Sequence, residues 1–237
     1  MTTIKFRTGS TVALDAHMAS DMAVIRAARV STQGEEAHLM DGSEVDPERF
    51  IRFLMRDRHG SPFEHTAFRF FVETPMFVAR EWFWHRIGSF NEESARYRVL
   101  KPHFYVPPRS RPLRQLGKPG AYRFEWGTDD QYTVMRREIE MNSKMAYGRY
   151  QTMLGAGIAR EVARDVLPTN VMTSFYWTVN ARALLNFISL RSTASPSTVP
   201  TFPLWEIDEA AQQVEREFGQ LMPITHQAFK SAGRVAP

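Results

Sequence analysis

Two Arg, one His, three carboxylates and two Ser are packed with five aromatic residues into the seventeen positions from Glu81 to Tyr97. The run is Glu81-Trp82-Phe83-Trp84-His85-Arg86-Ile87-Gly88-Ser89-Phe90-Asn91-Glu92-Glu93-Ser94-Ala95-Arg96-Tyr97. Aromatic side chains favour burial while unpaired charges resist it, so the mixture suits neither an apolar core nor a solvated face. An anionic, aromatic ligand satisfies both demands, because guanidinium groups bind phosphate bidentately and rings stack on planar heterocycles. The segment is expected to hold a nucleotide or a cofactor.

A second group lies downstream. Arg182 and Asn186 are an i,i+4 pair on one helical face, able either to read a polar ring edge or to sit in solvent on a capped helix. Arg191 ends the same helix, where a cation also meets the favourable end of the helix dipole. Arg164 has Glu161 and Glu64 as candidate ion-pair partners. Ser94 is not expected to be a nucleophile, since no His or Asp lies at a suggestive spacing. His59, Glu64 and His65 match no zinc pattern, and Pro62 between them prevents a helical ligand pair, so no metal is expected.

The Glu81–Tyr97 segment resembles the signature of the flavin-dependent thymidylate synthases, Arg-His-Arg followed after a spacer by Asn-Glu-x-Ser-x-Arg-Tyr. Here it stands as His85-Arg86 and then Asn91-Glu92-Glu93-Ser94-Ala95-Arg96-Tyr97, with Trp84 in place of the first Arg and Glu81 in place of an upstream Gln. Three further blocks are similar to the same family in the same order. They are Ala27-Ala28-Arg29-Val30-Ser31, Gly60-Ser61-Pro62-Phe63-Glu64-His65, and a long block from Arg160 through Phe175-Tyr176-Trp177-Thr178-Val179-Asn180-Ala181-Arg182 to Arg191. The connection after Arg191 departs from the family, being longer and lacking a His.

The resemblance implies reductive C5 methylation of a uracil nucleotide, dUMP or UMP, with FAD as cofactor, NADPH as reductant and 5,10-methylenetetrahydrofolate as carbon donor. It assigns Ser61, Glu64, His85, Arg86, Glu92, Asn180, Arg182 and Asn186 to FAD. Glu81, Trp84, Glu92, Glu93, Ser94, Ala95, Arg96, Arg164 and Arg191 fall to the nucleotide, and His59 lies near the folate. By the same resemblance Arg191 would pair with the uracil and favour its ionisation at N3, making it the catalytic residue. A homotetramer with shared active sites is implied as well. Glu81, Trp84 and His85 are spaced i, i+3, i+4, so on one helix they share a face. A carboxylate there suits ribose hydroxyls and Trp84 offers a stacking surface, which points toward a UMP-accepting relative of the kind found in nucleoside-antibiotic biosynthesis.

Strands and helices are mixed along the chain. A loose alternation over Thr3–Ala13 and the β-rich runs His65–Thr74 and Val171–Val179 predict strands. Helices are expected over Asp21–Arg29 and Pro47–Arg58, from Pro75 through Arg86, and over Asp129–Leu154, Ile158–Val166, Asn180–Leu190 and Trp205–Leu221. Pro-rich stretches near 101–127 and 192–203 predict irregular excursions. No βαβ regularity is present, so the expectation is an α+β fold with a mixed or antiparallel sheet and several long helices, one domain over 1–237.

The 237 residues carry a formal charge of only +4, with 43% hydrophobic and 24% charged residues, an ordinary globular composition. No basic run favours a nucleic-acid partner, although a nucleic-acid-binding module using the Arg content is the more distant alternative. No apolar run is long enough to cross a membrane and the N-terminus lacks a signal-peptide layout, so a cytoplasmic location is expected. Cys is absent, which excludes a thiol nucleophile, so any methylation at uracil C5 must proceed without one.

Overall fold

Four helix starts in this chain are set by short polar side chains that satisfy otherwise unpaired first-turn amides. Ser20 accepts from the Ala23 amide at 3.1 Å and Asp46 from that of Arg49 at 3.1 Å. Thr128 and Gln131 form a reciprocal capping box at 3.2 and 2.9 Å, and Asn180 accepts from Ala183 at 2.9 Å. The computed structural model describes residues 3–39, 41, 45–119 and 121–237.

In chain order, β1 (Lys5–Arg7) and β2 (Thr11–Met18) precede α1 (Asp21–Gln33) and α2 (Pro47–Arg56), and β3 (Ala67–Pro75) leads into α3 (Met76–Trp82) and β4 (Ser89–Glu92). Then come β5 (His103–Tyr105), β6 (Arg114–Leu116), β7 (Arg123–Glu125), α4 (Asp129–Gly155), α5 (Arg160–Ala163), β8 (Met172–Val179), α6 (Ala181–Arg191), α7 (Trp205–Leu221) and α8 (Pro223–Ser231). The main sheet has the order β2-β3-β8-β4, while β1 pairs parallel with β5 and β6 antiparallel with β7. The α+β class with mixed strand pairing is thus the one expected from the sequence.

Several expectations need correction. α1 continues through Ala27–Ser31, and the Ile158–Val166 helix shrinks to α5 plus a 3-10 turn over Arg164–Val166. The 101–127 excursion carries β5 and the β6–β7 ribbon, whose turn uses Gly117 at φ +95, while Gly120 lies outside the described residues. α8 was not anticipated. Most important, α3 stops at Trp82, four residues before Arg86, so Glu81 does not share a helical face with Trp84 and His85. The reason is packing beyond the helix: Phe83 sits edge-on to Phe90 of β4 at 4.9 Å, which requires the chain to turn back on itself. Gly88 permits that turn, since a Cβ there would lie 2.8 Å from Trp177 Nε1 and 3.1 Å from the Thr178 carbonyl oxygen.

Contacts divide the chain into two compact units, each assembled from separate stretches. The first takes Met1–Thr11, Glu73–Trp82 and Glu92–Phe175, and the second Val12–Val72, Phe83–Asn91 and Tyr176–Pro237. The core of the first is built from Leu100, Phe104, Tyr147, Tyr150 and Val171, where α4 packs on the β5 region. The second buries Phe68, Phe70, Trp177, Leu184, Phe187 and Phe218. Alternation is clean on β3 and β8: Phe68, Phe70 and Val72 point inward, as do Phe175, Trp177 and Val179. Among the described residues no helix is long and apolar enough to cross a membrane.

The second unit is pinned by one buried carboxylate. Glu215 of α7, 5% exposed, accepts a bidentate pair from fully buried Arg234 at 2.6 and 2.9 Å. It also binds His226 at 2.9 Å and accepts from the Ser192 hydroxyl. Arg234 sits at φ +59, a strained conformation for a non-glycine residue that the ion pair holds in place. Burial opposes ionisation of Glu215, but hydrogen bonds from His226, Arg234 and Ser192 outweigh it and bring its pKa to about 2. The depressed pKa means the contribution is complete above the usual 4.5 and is lost as pH falls toward 2. Glu215→Ala leaves the Arg234 charge buried without its partner and is expected to cost about 3–5 kcal/mol in urea denaturation at pH 7. The variant should also be less sensitive than wild type to acid between pH 4.5 and 2. Equal stability at pH 7 would contradict the role given to Glu215.

Candidate active site

A cleft of about 800 Å³ opens in the second unit, within the range of small-molecule sites. α6 supplies Asn180, Arg182, Asn186 and Arg191 to its lining, and the segment after α3 supplies Trp84, His85 and Arg86. Glu64, Trp177, Ala236 and Pro237 complete its polar and apolar walls. An aromatic cluster carries these groups: Trp177 packs against Phe70 at 5.7 Å, Phe187 at 5.0 Å and Phe90 at 6.1 Å. His85 meets Phe187 edge-on at 4.8 Å. The imidazole is therefore held by the core.

Arg191 Nε donates to His85 Nε2 at 3.0 Å. An acceptor at Nε2 requires a neutral ring with its proton on Nδ1. Burial, and then the Arg191 charge, lower the His85 pKa to about 4, so the ring is uncharged at neutral pH. Arg182 donates through Nη1 to Glu64 at 2.6 Å and through Nε to the Pro237 carbonyl oxygen at 2.9 Å. Both members of the Arg182–Glu64 pair are nearly half exposed, so the pair holds by no more than about 1 kcal/mol and its groups remain available to a ligand. Gly60 makes this geometry fit, since a Cβ there would come within 2.4 Å of Arg182 Nε. With Arg86, Arg182 and Arg191 facing Glu64 and a neutral His85, the lining favours an anion carrying a planar ring.

The remaining signature residues stand in the first unit. Thr173 donates to Glu92 Oε1 at 2.6 Å, and Ser174 donates to Glu93 Oε1 at 3.2 Å. Crowding by protein raises the Glu92 pKa, against the lowering effect of the Thr173 bond; Glu93 adds to the rise and Arg164 opposes it. The Ser94 hydroxyl accepts from the Arg96 amide at 3.3 Å and closes a turn in which the Ser94 carbonyl accepts from Tyr97 and Arg98. Ala95 beside it is buried. Arg96 pairs with Glu161 at 2.9 Å and Arg182 with Glu64 at 2.6 Å, while Arg164 acts electrostatically on Glu92.

Of the residues singled out from the sequence, Glu64, Trp84, His85, Arg86, Asn180, Arg182, Asn186 and Arg191 come together around one cleft. Asn180 enters differently than expected, as the N-cap of α6 with its oxygen engaged by Ala183. His59 and Ser61 line a separate cavity of about 340 Å³ with Arg29 and Phe53, where the His59 ring packs tilted against Phe53 at 5.3 Å. Glu81 stays on α3 in the first unit. Sequence reasoning missed Trp177, Ala236 and Pro237 as lining residues. Trp177 could have been found from the inward register of β8, whereas nothing in Ala236-Pro237 signals a cleft.

Comparison with known proteins gives this arrangement its context. The family described as "Thymidylate synthase complementing protein" matches residues 13–224. The flavin-dependent thymidylate synthase of Streptomyces coelicolor is 50% identical over 99% of this chain and 96% of its own length. That of Tropheryma whipplei is 48% identical over 96% and 95%. Among solved structures, a UMP/dUMP methylase, PolB, from Streptomyces cacaoi superposes with a TM-score of 0.92. It covers 99% of this chain and 100% of its own, at 45% identity with 5-Br UMP bound and 47% with 5-Br dUMP bound. Likeness of this extent, in sequence and in fold together, is that of common descent: the chain belongs to the flavin-dependent thymidylate synthase family.

Proposed function

We propose that this enzyme methylates C5 of a uracil nucleotide, accepting both dUMP and UMP, with FAD as cofactor, methylenetetrahydrofolate as carbon donor and NADPH as reductant. The observation that carries the reading is the contact of Arg191 with a neutral His85 in a cleft whose other polar groups are Glu64, Arg86, Asn180, Arg182 and Asn186. A flavin fits this donor set, because its ring edge needs amide and guanidinium partners and its phosphates need cations. When bound, FAD supplies hydride transfer, chemistry that no side chain of this thiol-free protein offers.

The protein's own contribution is binding, orientation and electrostatics. His85, Arg86, Asn180, Arg182 and Asn186 hold the flavin, with Glu64 positioning Arg182 and Ser61 contributing from its own cavity. Glu92 serves flavin and nucleotide alike. Arg191 donates to the uracil, where a fixed guanidinium stabilises negative charge at N3 as the ring is attacked at C6. Its partner His85 is uncharged, so the cationic field is directed to the substrate. Ser94, Arg96 and the amides near Ala95 receive the phosphate, with Glu93 and Arg164 beside them. Since the Glu93 amide is already given to the Ser174 carbonyl, the backbone share falls to its neighbours. His59 lies near the folate, and the assembly is a homotetramer.

The relatives' ligands support acceptance of both sugars, since PolB is described with a ribonucleotide and with a deoxyribonucleotide analogue. Trp84, 79% exposed at the cleft, presents a ring where the family has a guanidinium, so base stacking replaces one phosphate contact. Glu81 keeps its assigned place beside the nucleotide, no longer through a face shared with Trp84.

Arg191→Ala is expected to reduce kcat by about 100-fold or more while the purified protein keeps its flavin absorbance, as for removal of a group that acts on the developing charge. Loss of the flavin in this variant would instead make Arg191 a cofactor ligand. In steady-state assays UMP should be methylated with kcat/KM within about tenfold of dUMP, or ~1.4 kcal/mol in the barrier. Trp84→Arg should shift the ratio toward dUMP. No turnover of UMP, or a ratio untouched by Trp84→Arg, would contradict the dual-substrate reading.

A further inference from the structure

Successive side chains on a strand point to opposite faces. Thr173 and Ser174 are consecutive on β8, and each holds one of the consecutive carboxylates Glu92 and Glu93. The two hydroxyls therefore sort two adjacent like charges onto different faces. Glu93 is drawn toward Arg98, 3.7 Å away, and its amide is spent on the Ser174 carbonyl. Among the described residues no cation forms such a contact with Glu92. Its Oε1 is anchored by Thr173, whose own side chain is 4% exposed, while the Glu92 residue as a whole remains exposed. One carboxylate oxygen is thus fixed from the protein side and the other is left to a ligand.

We infer that Thr173 is a positioning residue for the reaction, fixing the Glu92 carboxylate through Oε1 so that Oε2 is presented to a donor on the bound uracil nucleotide. The inference rests on the reading given under Proposed function, in which Glu92 serves the nucleotide. A hydroxyl that must donate to a carboxylate also favours its ionised form, which matters because burial and Glu93 push Glu92 toward protonation and only Arg164 and Thr173 oppose them. Arg98 faces Glu93 and Arg96 faces Glu161, so neither substitutes for the lost hydroxyl.

The test is calorimetric titration of dUMP and UMP into FAD-loaded protein from pH 5 to 9, alongside the pH profile of kcat/KM. Thr173→Val keeps the shape and removes the donor. It should weaken nucleotide binding about tenfold at pH 7, as for one hydrogen bond to a charged group. The pH at which binding is lost on the acid side should move upward, since the Glu92 pKa rises when its donor goes. Thr173→Ser, which keeps the hydroxyl, should restore both the affinity and the midpoint. Unchanged affinity and midpoint in Thr173→Val, or a Thr173→Ser variant as impaired as Thr173→Val, would overturn the inference. If Thr173→Val folds poorly by urea midpoint, Thr173→Ala against Thr173→Ser decides by the same two quantities. Wild-type protein that binds neither nucleotide would instead sink the uracil reading itself.

Discussion

The cleft depends on a carboxylate that does not touch it. Glu215 is buried in the second unit with Arg234, His226 and the Ser192 hydroxyl around it. Ser192 directly follows Arg191, and Arg234 leads to Ala236 and Pro237, which line the cleft, the Pro237 carbonyl accepting from Arg182. One ion-paired cluster therefore sets both the end of α6 and the segment that closes on its start. A buried charge is costly unless every lone pair is used, and here both oxygens of Glu215 are engaged from more than one direction. The same cluster ties the 192–203 excursion down, through the Arg234 bond to Ser195 at 2.7 Å.

Within that frame the electrostatics of the site follow from burial. A protonated His85 beside Arg191 would place two cations in contact; the core position against Phe187 removes the proton instead and turns the imidazole into an acceptor. The guanidinium gains orientation without losing its charge. Arg182 is handled in the opposite way, held by a weakly worth, half-exposed pair with Glu64 that a phosphate or ring edge can share. One arginine is rigid and the other exchangeable, which matches a site that must bind a cofactor and polarise a substrate.

Much of this was legible in the sequence. The caps at Ser20, Asp46 and Thr128 follow from local chemistry, and β3 and β8 follow from their β-rich composition, so these elements appear close to their expected places. The cleft residues on α6 and after α3 were picked out by type and spacing. What failed did so where distant packing decides. The end of α3 is set by Phe83 meeting Phe90 and by Gly88 passing under Trp177, contacts that no helical periodicity encodes. The Glu215–Arg234 pair joins the interior of α7 to the segment after α8 across 19 positions, and the Thr173–Glu92 bond spans 81, so neither leaves a local pattern. Asn180 shows the middle case: its type was noticed, but its capping bond fixes it to the backbone rather than to a helical face.

The most direct measurement is a crystal structure of the protein with FAD and 5-bromo-UMP bound together. The account predicts the flavin ring in the cleft against His85 and Asn186, and the uracil within hydrogen-bond reach of the Arg191 guanidinium. A flavin bound elsewhere, or a uracil ring turned away from Arg191, would contradict it.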